Sequence, residues 1–81
     1  MSLDPNKFYK FTGTLSSLTI TNLNSGSGIC VYAGKFTAGN NFSGLSFPAS
    51  VTPADNVPTI EAGETYEFSV LDNLLLIVKE G

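Results

Sequence analysis

Histidine, tryptophan and arginine are missing from this sequence, and cysteine occurs once, at Cys30. Without histidine, the side chain that most often moves protons near neutral pH is gone. A structural zinc site draws on cysteine and histidine together, so none is expected, and no disulfide can form within the chain. Charge is scarce too. Charged residues make up 14% of the chain, against about 25% in ordinary soluble domains. The cations are four lysines facing seven acids, for a formal net charge of -3. Nucleic-acid binding needs clustered lysine or arginine to displace counterions, so it is not expected. No unbroken apolar run exceeds five residues, far short of the roughly 20 that a membrane helix needs, and membrane insertion is not expected.

These absences narrow how the chain can hold itself together. Its 81 residues fit one domain. A domain of that size buries only roughly 60% of its unfolded surface. Small chains compensate with disulfides, a metal or oligomerisation. Cysteine and histidine content removes the first two, leaving a well-packed core or self-association. Polarity comes mostly from Ser, Thr, Asn and Gly, and such a surface can be buried against a neighbour without stranding charges. No cofactor is expected. No basic leader followed by an apolar run is visible. Met1-Ser2-Leu3 and Glu80-Gly81 read as expression-vector remnants around a single domain over residues 4–79.

The clearest pattern lies in the last third of the chain. Tyr66, Phe68 and Val70 alternate with Thr65, Glu67 and Ser69, which predicts a strand with one apolar face. Asp72-Asn73 interrupts it, and Leu74-Leu75-Leu76-Ile77-Val78 follows, so a hairpin is expected. Residues 7–12 read as an edge strand guarded by Lys7 and Lys10 and ended by Gly13. Leu18-Thr19-Ile20-Thr21-Asn22 alternates with Leu18 and Ile20 inward. With Ile29-Cys30-Val31-Tyr32-Ala33 it predicts a second hairpin across the Asn/Ser/Gly loop between them. Leu45 and Phe47 suggest a short strand. Pro48, Pro53 and Pro58 mark residues 48–57 as a loop or edge excursion. Thr59-Ile60-Glu61 is expected to re-enter the sheet before a turn at Ala62-Gly63. No segment carries helical spacing. The expected fold is all-β: a small antiparallel sandwich or partly open, jelly-roll-like barrel of about seven strands.

Chemistry is hard to place on these residues. Serines are plentiful, but no Gly-x-Ser-x-Gly elbow occurs and no histidine base is present. Paired carboxylates could come from Asp55, Glu61, Glu64, Glu67 and Asp72, and Glu61 with Glu64 is the pair a small hydrolase would use. The plainer reading is a solvated edge, and no enzyme is expected. Cys30 lacks a neighbouring cation and reads as a small hydrophobe. Asp55-Asn56 and Asp72-Asn73 read as turn pairs rather than calcium ligands. Asn41-Phe42-Ser43 fits a glycosylation sequon, a pattern short enough to arise by chance. A carbohydrate- or peptide-binding site could use Tyr32 and Phe42 as stacking platforms with Asn40 and Asn41 as hydrogen-bonding partners. The plainer reading is that these rings fill the core.

The final strand offers the sharper signal. Leu74, Leu76 and Val78 take one face, and Leu75 and Ile77 the other. A strand in a small two-layer domain has one inner face. Leaving Leu75 and Ile77 in water would forgo about 1.5–3 kcal/mol each. Either the excursion around Pro48, Pro53 and Val57 folds over them or another subunit does. That set is the expected interface.

Ile20-Thr21-Asn22, Ile29-Cys30-Val31-Tyr32, the step Ile60-Glu61-Ala62-Gly63-Glu64-Thr65-Tyr66-Glu67-Phe68 and the closing Leu74-Leu75-Leu76-Ile77-Val78-Lys79 resemble small β-rich virion proteins of tailed bacteriophages. These are decoration, head-fibre and neck or tail accessory proteins. The resemblance skips residues 34–57. It implies a homo-oligomer, often a trimer, that is located in the virion, binds other virion proteins on a capsid or tail surface, and catalyses nothing. It carries no site residues with it.

Overall fold

The alternating segments become the long strands of one sheet. The computed structural model describes residues 1–54 and 58–80. Along the chain run β1 (Ser2–Leu3), β2 (Lys7–Leu15), β3 (Leu18–Thr19), β4 (Asn22–Leu23), β5 (Val31–Ala38), β6 (Leu45–Ser46), β7 (Thr52–Pro53), β8 (Thr65–Leu71) and β9 (Leu74–Glu80). No helix occurs among the described residues. The main sheet has the order β2-β5-β8-β9-β7, and two small ladders, β1-β4 and β3-β6, stand apart from it.

The fold is all-β, as expected, but the expected all-antiparallel pairing is corrected to a mixed sheet. β5 pairs antiparallel with β8 and β8 with β9, whereas β2 runs parallel to β5 and β7 parallel to β9. The β8-β9 hairpin forms at Asp72-Asn73, where both residues take positive φ, 52° and 61°. Two such residues in a two-residue loop match the right-handed twist of the strands they join.

The expected hairpin over residues 18–33 does not form. β5 is already paired on both edges, by β2 and β8, so no edge is left for residues 18–22. They instead ladder with the other short strands, Leu18 opposite Leu45 and Asn22 opposite Ser2. Gly13 also departs from expectation. It sits at φ 72° within a register shift between Lys10 and Thr14, and β2 continues past it to Leu15. Only the missing Cβ lets a bulge take that conformation at little steric cost. Residues 59–61 form no strand. They are held by Tyr66, whose hydroxyl donates to the Thr59 carbonyl at 3.0 Å and accepts from the Glu61 amide at 2.8 Å.

The core lies on one face of the main sheet. Tyr32, Phe36, Tyr66, Phe68, Val70, Leu75 and Ile77 point to it, and Leu3, Leu18 and Ile20 close it from above. Residues 1–3, read from the sequence as outside the domain, are therefore part of it: Leu3 is fully buried. Aromatic contacts tie the layers together. Phe42 stacks on Phe36 at 5.6 Å, and Phe47 meets Phe68 edge-on at 5.5 Å. Gly34, opposite Phe68 in the ladder, makes room for this ring. A Cβ at Gly34 would lie 2.6 Å from Phe68 Cζ and 3.0 Å from the Tyr9 carbonyl oxygen. Gly34→Ala is therefore expected to destabilise the fold by about 1–3 kcal/mol. That would appear as a lower urea midpoint at unchanged slope.

The N-terminal turn is fixed by charge. Asn24 Nδ2 donates to Asp4 Oδ1 at 2.8 Å, and Lys7 Nζ reaches Asp4 Oδ2 at 3.4 Å. The Asn24 amide, then the hydrogen bond and charge of Lys7, hold the Asp4 carboxyl below its ordinary value. A depressed carboxyl contributes stability that is present above the unfolded value and is lost as pH falls through the folded one. Asp4→Asn is expected to flatten the loss of stability between roughly pH 4 and more acid conditions. Urea midpoints of both chains across that window check it.

Candidate functional site

The core takes one side of the sheet, and the other side meets solvent. The ladder registers set out its rows. Phe8, Ala33, Ser69 and Leu76 lie side by side across β2, β5, β8 and β9, and the next row is Lys10, Lys35, Glu67 and Val78. Below them stand Val31, Leu71 and Leu74. Large apolar groups flank this face. Phe8 is 52% exposed, Leu74 49%, Leu76 46% and Val78 48%. The small side chains of Ala33 and Ser69 form a floor between them, giving a shallow trough of about 210 Å³. An isolated exposed leucine needs no explanation, but a contiguous apolar band across a sheet is a recognised mark of a contact surface.

Charge on the face is sparse and central. Lys35 Nζ lies 2.8 Å from Glu80 Oε1. That hydrogen bond first, then the charges of Glu80 and Glu67, raise the Lys35 ammonium above its ordinary value. Glu67 faces Lys35 across the ladder and has no ion-pair partner among the described residues.

The expected interface is corrected by this arrangement. Leu75 and Ile77 are 6% and 7% exposed and belong to the chain's own core. Leu45, Phe47, Val51 and Pro53 lie over them, so the local wrap covers that side and the outward residues are Leu74, Leu76 and Val78. Pro48 is half-buried, and Pro53 is exposed in β7, paired with Leu75 of β9. Val57 lies outside the described residues, as do Asp55 and Asn56. The correct side was readable. In a two-residue hairpin, Leu71 faces Leu74, which places Val70 beside Leu75 and Phe68 beside Ile77. The core face of β8 thus dictates the core face of β9.

The expected ligand residues do not converge. Tyr32 is buried, with its hydroxyl donating to the Asn24 carbonyl, and burial pushes its phenol above the ordinary value, with Cys30 adding to the effect. It is corrected from a stacking platform to a core residue. Phe42 is half-buried against Phe36. Asn40 and Asn41 are exposed just beyond the far end of β5, about 20 Å along the strand from Tyr32 at 3.3 Å per residue. A separate open cleft of about 480 Å³ lies beside Tyr32, between residues 28–30 and the β8-β9 turn.

Of the carboxylates, Glu61 and Glu64 are brought together on one cation, whereas Glu67 and Asp72 stand apart from them. Lys79 Nζ lies 3.6 Å from Glu61 Oε1 and 3.8 Å from Glu64 Oε2, all three side chains well exposed. Glu67 is on the outer sheet face, and Asp72 is in the hairpin turn. Among the described residues no three His, Cys, Asp or Glu side chains gather as a metal site would require. Cys30 Sγ donates weakly to the Gly28 carbonyl at 3.7 Å. Among the described residues no helix is long and apolar enough to cross a membrane. No protein family, curated protein or solved structure matches this chain.

Proposed function

We propose that the chain is a non-catalytic structural module that self-associates through the outer face of its sheet, and that it serves in a phage virion on a capsid or tail surface. One observation carries the first part. Phe8, Leu74, Leu76 and Val78 stand half exposed on a single face whose remaining positions are small or sparsely charged. Completing the burial of a half-exposed leucine gains about 1 kcal/mol, so the four together offer on the order of 4 kcal/mol per subunit. For a domain with so small a core that is a large term. The virion placement rests on the resemblance of the strand-turn segments. The alternative, a carbohydrate- or peptide-binding module, has less support, because Tyr32 is buried and Asn40 and Asn41 lie at the opposite end of β5.

Light scattering on a size-exclusion column tests the self-association. The unmutated chain is expected to run as an oligomer. Leu76→Asp with Val78→Asp is expected to give a folded monomer, with the circular dichroism of the parent. The same change at Leu75 and Ile77 is expected to unfold the chain. A monomeric parent chain over the accessible concentration range overturns the reading. For the virion placement, portal, capsid or tail genes beside its own gene are the expected neighbours.

A further inference from the structure

We infer that the partner for the outer face is a second copy of this chain, docked about a two-fold axis that runs along the strands midway between β5 and β8. The inference rests on the self-association just proposed and adds its geometry. A two-fold contact uses the same patch on both subunits, and this molecule presents one such face, with large apolar groups at its flanks and charges between them. A three-fold ring would need two different patches that fit each other.

Charge places the axis. An axis along β5 would set Lys35 against the partner's Lys35, and an axis along β8 would set Glu67 against the partner's Glu67. Between the two strands, β5 lies over the partner's β8 and β2 over the partner's β9. Lys35, which keeps its own Glu80 at 2.8 Å, then faces Glu67 of the partner subunit, otherwise unpaired among the described residues, twice by symmetry. In the neighbouring row Phe8 faces the partner's Leu76 and Ala33 faces the partner's Ser69. One row further, Val31 faces the partner's Leu71. Lys10 faces the partner's Val78 at the rim, where its stem can cover the valine while its ammonium stays in water. Packed sheets stand about 10 Å apart, a gap that a lysine and a glutamate span together.

Size sets the strength. Four strands at about 4.8 Å spacing and seven residues at about 3.4 Å give a face on the order of 450 Å² in projection. Standard interfaces bury roughly 800 Å² per partner. The dimer is therefore a weak, concentration-dependent one.

Sedimentation equilibrium over a concentration series tests this. The parent chain is expected to dimerise. Lys35→Glu alone and Glu67→Lys alone are each expected to weaken dimerisation about a hundredfold, because each sets two like charges face to face. Mixing these two variants is expected to restore a dimer, since both cross-subunit contacts then join opposite charges. Ser69→Lys, which disturbs the floor of the face without touching the Lys35–Glu67 pair, is expected to give a monomer. It serves also if a charge reversal fails to fold. Charge variants that still dimerise alone, or do not pair on mixing, overturn the geometry, as does a folded Ser69→Lys dimer. A trimeric parent chain overturns it too, while leaving self-association standing. A monomeric parent chain removes both.

Discussion

A parallel ladder cannot be closed by a tight turn, because the chain must return to the end of the sheet from which it started. β2 runs parallel to β5, so residues 16–30 have to traverse a face of the sheet between them. They carry Leu18 and Ile20 across it, and both are buried there. The long connection from β5 to β8 crosses the same face and contributes Phe42, Leu45, Phe47 and Ile60 to the same core. The two crossings meet as the β3-β6 ladder. Each thereby satisfies backbone groups that would otherwise be left over an apolar surface. The choice of a parallel first pair thus decides which face these two crossings cover.

A cover of short strands and irregular backbone needs fastening, and the three tyrosines supply it. Tyr9, Tyr32 and Tyr66 each present a ring to the core and a hydroxyl to the covering backbone. Tyr9 accepts from the Asp4 amide at 2.7 Å, Tyr32 donates to the Asn24 carbonyl, and Tyr66 holds both Thr59 and Glu61. Phenylalanine would fill the same volume and leave those backbone groups unpaired, which costs more than the bond itself is worth. Among the described residues no buried side-chain nitrogen or oxygen lacks a partner. These anchors explain how residues 59–61 can sit close to the core without joining the sheet.

What the sequence made legible was local. The alternation of Tyr66, Phe68 and Val70, the Asp72-Asn73 turn, the inward Leu18 and Ile20 and the absence of helical spacing all concern neighbours along the chain, where side-chain period and turn chemistry act directly. What it hid was pairing at a distance. Nothing in residues 7–12 says that their partner is β5 or that the ladder is parallel, so the hairpin over 18–33 was the economical choice. Gly13 carries the same signal as a strand end or a bulge. The side of β9 that meets solvent was legible in principle, since a two-residue turn fixes register, but the five apolar side chains in a row obscured it.

That uniform run follows from the one-sided cover. A strand with one face in water normally keeps polar groups on that face, as β8 does with Thr65, Glu67 and Ser69. β9 instead carries Leu74, Leu76 and Val78 outward, and Phe8 of β2 matches them on the far side of the sheet. Between them lie Ala33 and Ser69, small enough to let another surface approach, and the Lys35–Glu67 row, which sets the register of any approach. Here the apolar groups are gathered at the flanks, and the charges lie between them as Lys10, Lys35 and Glu67 in one row, with Glu80 beside Lys35. In the proposed dimer, with β5 over the partner's β8, each Lys35 gains a second carboxylate beside its own Glu80, and each Phe8 gains an apolar neighbour. In that proposal the arrangement that covers the outer face is also the one that brings a cation to Glu67.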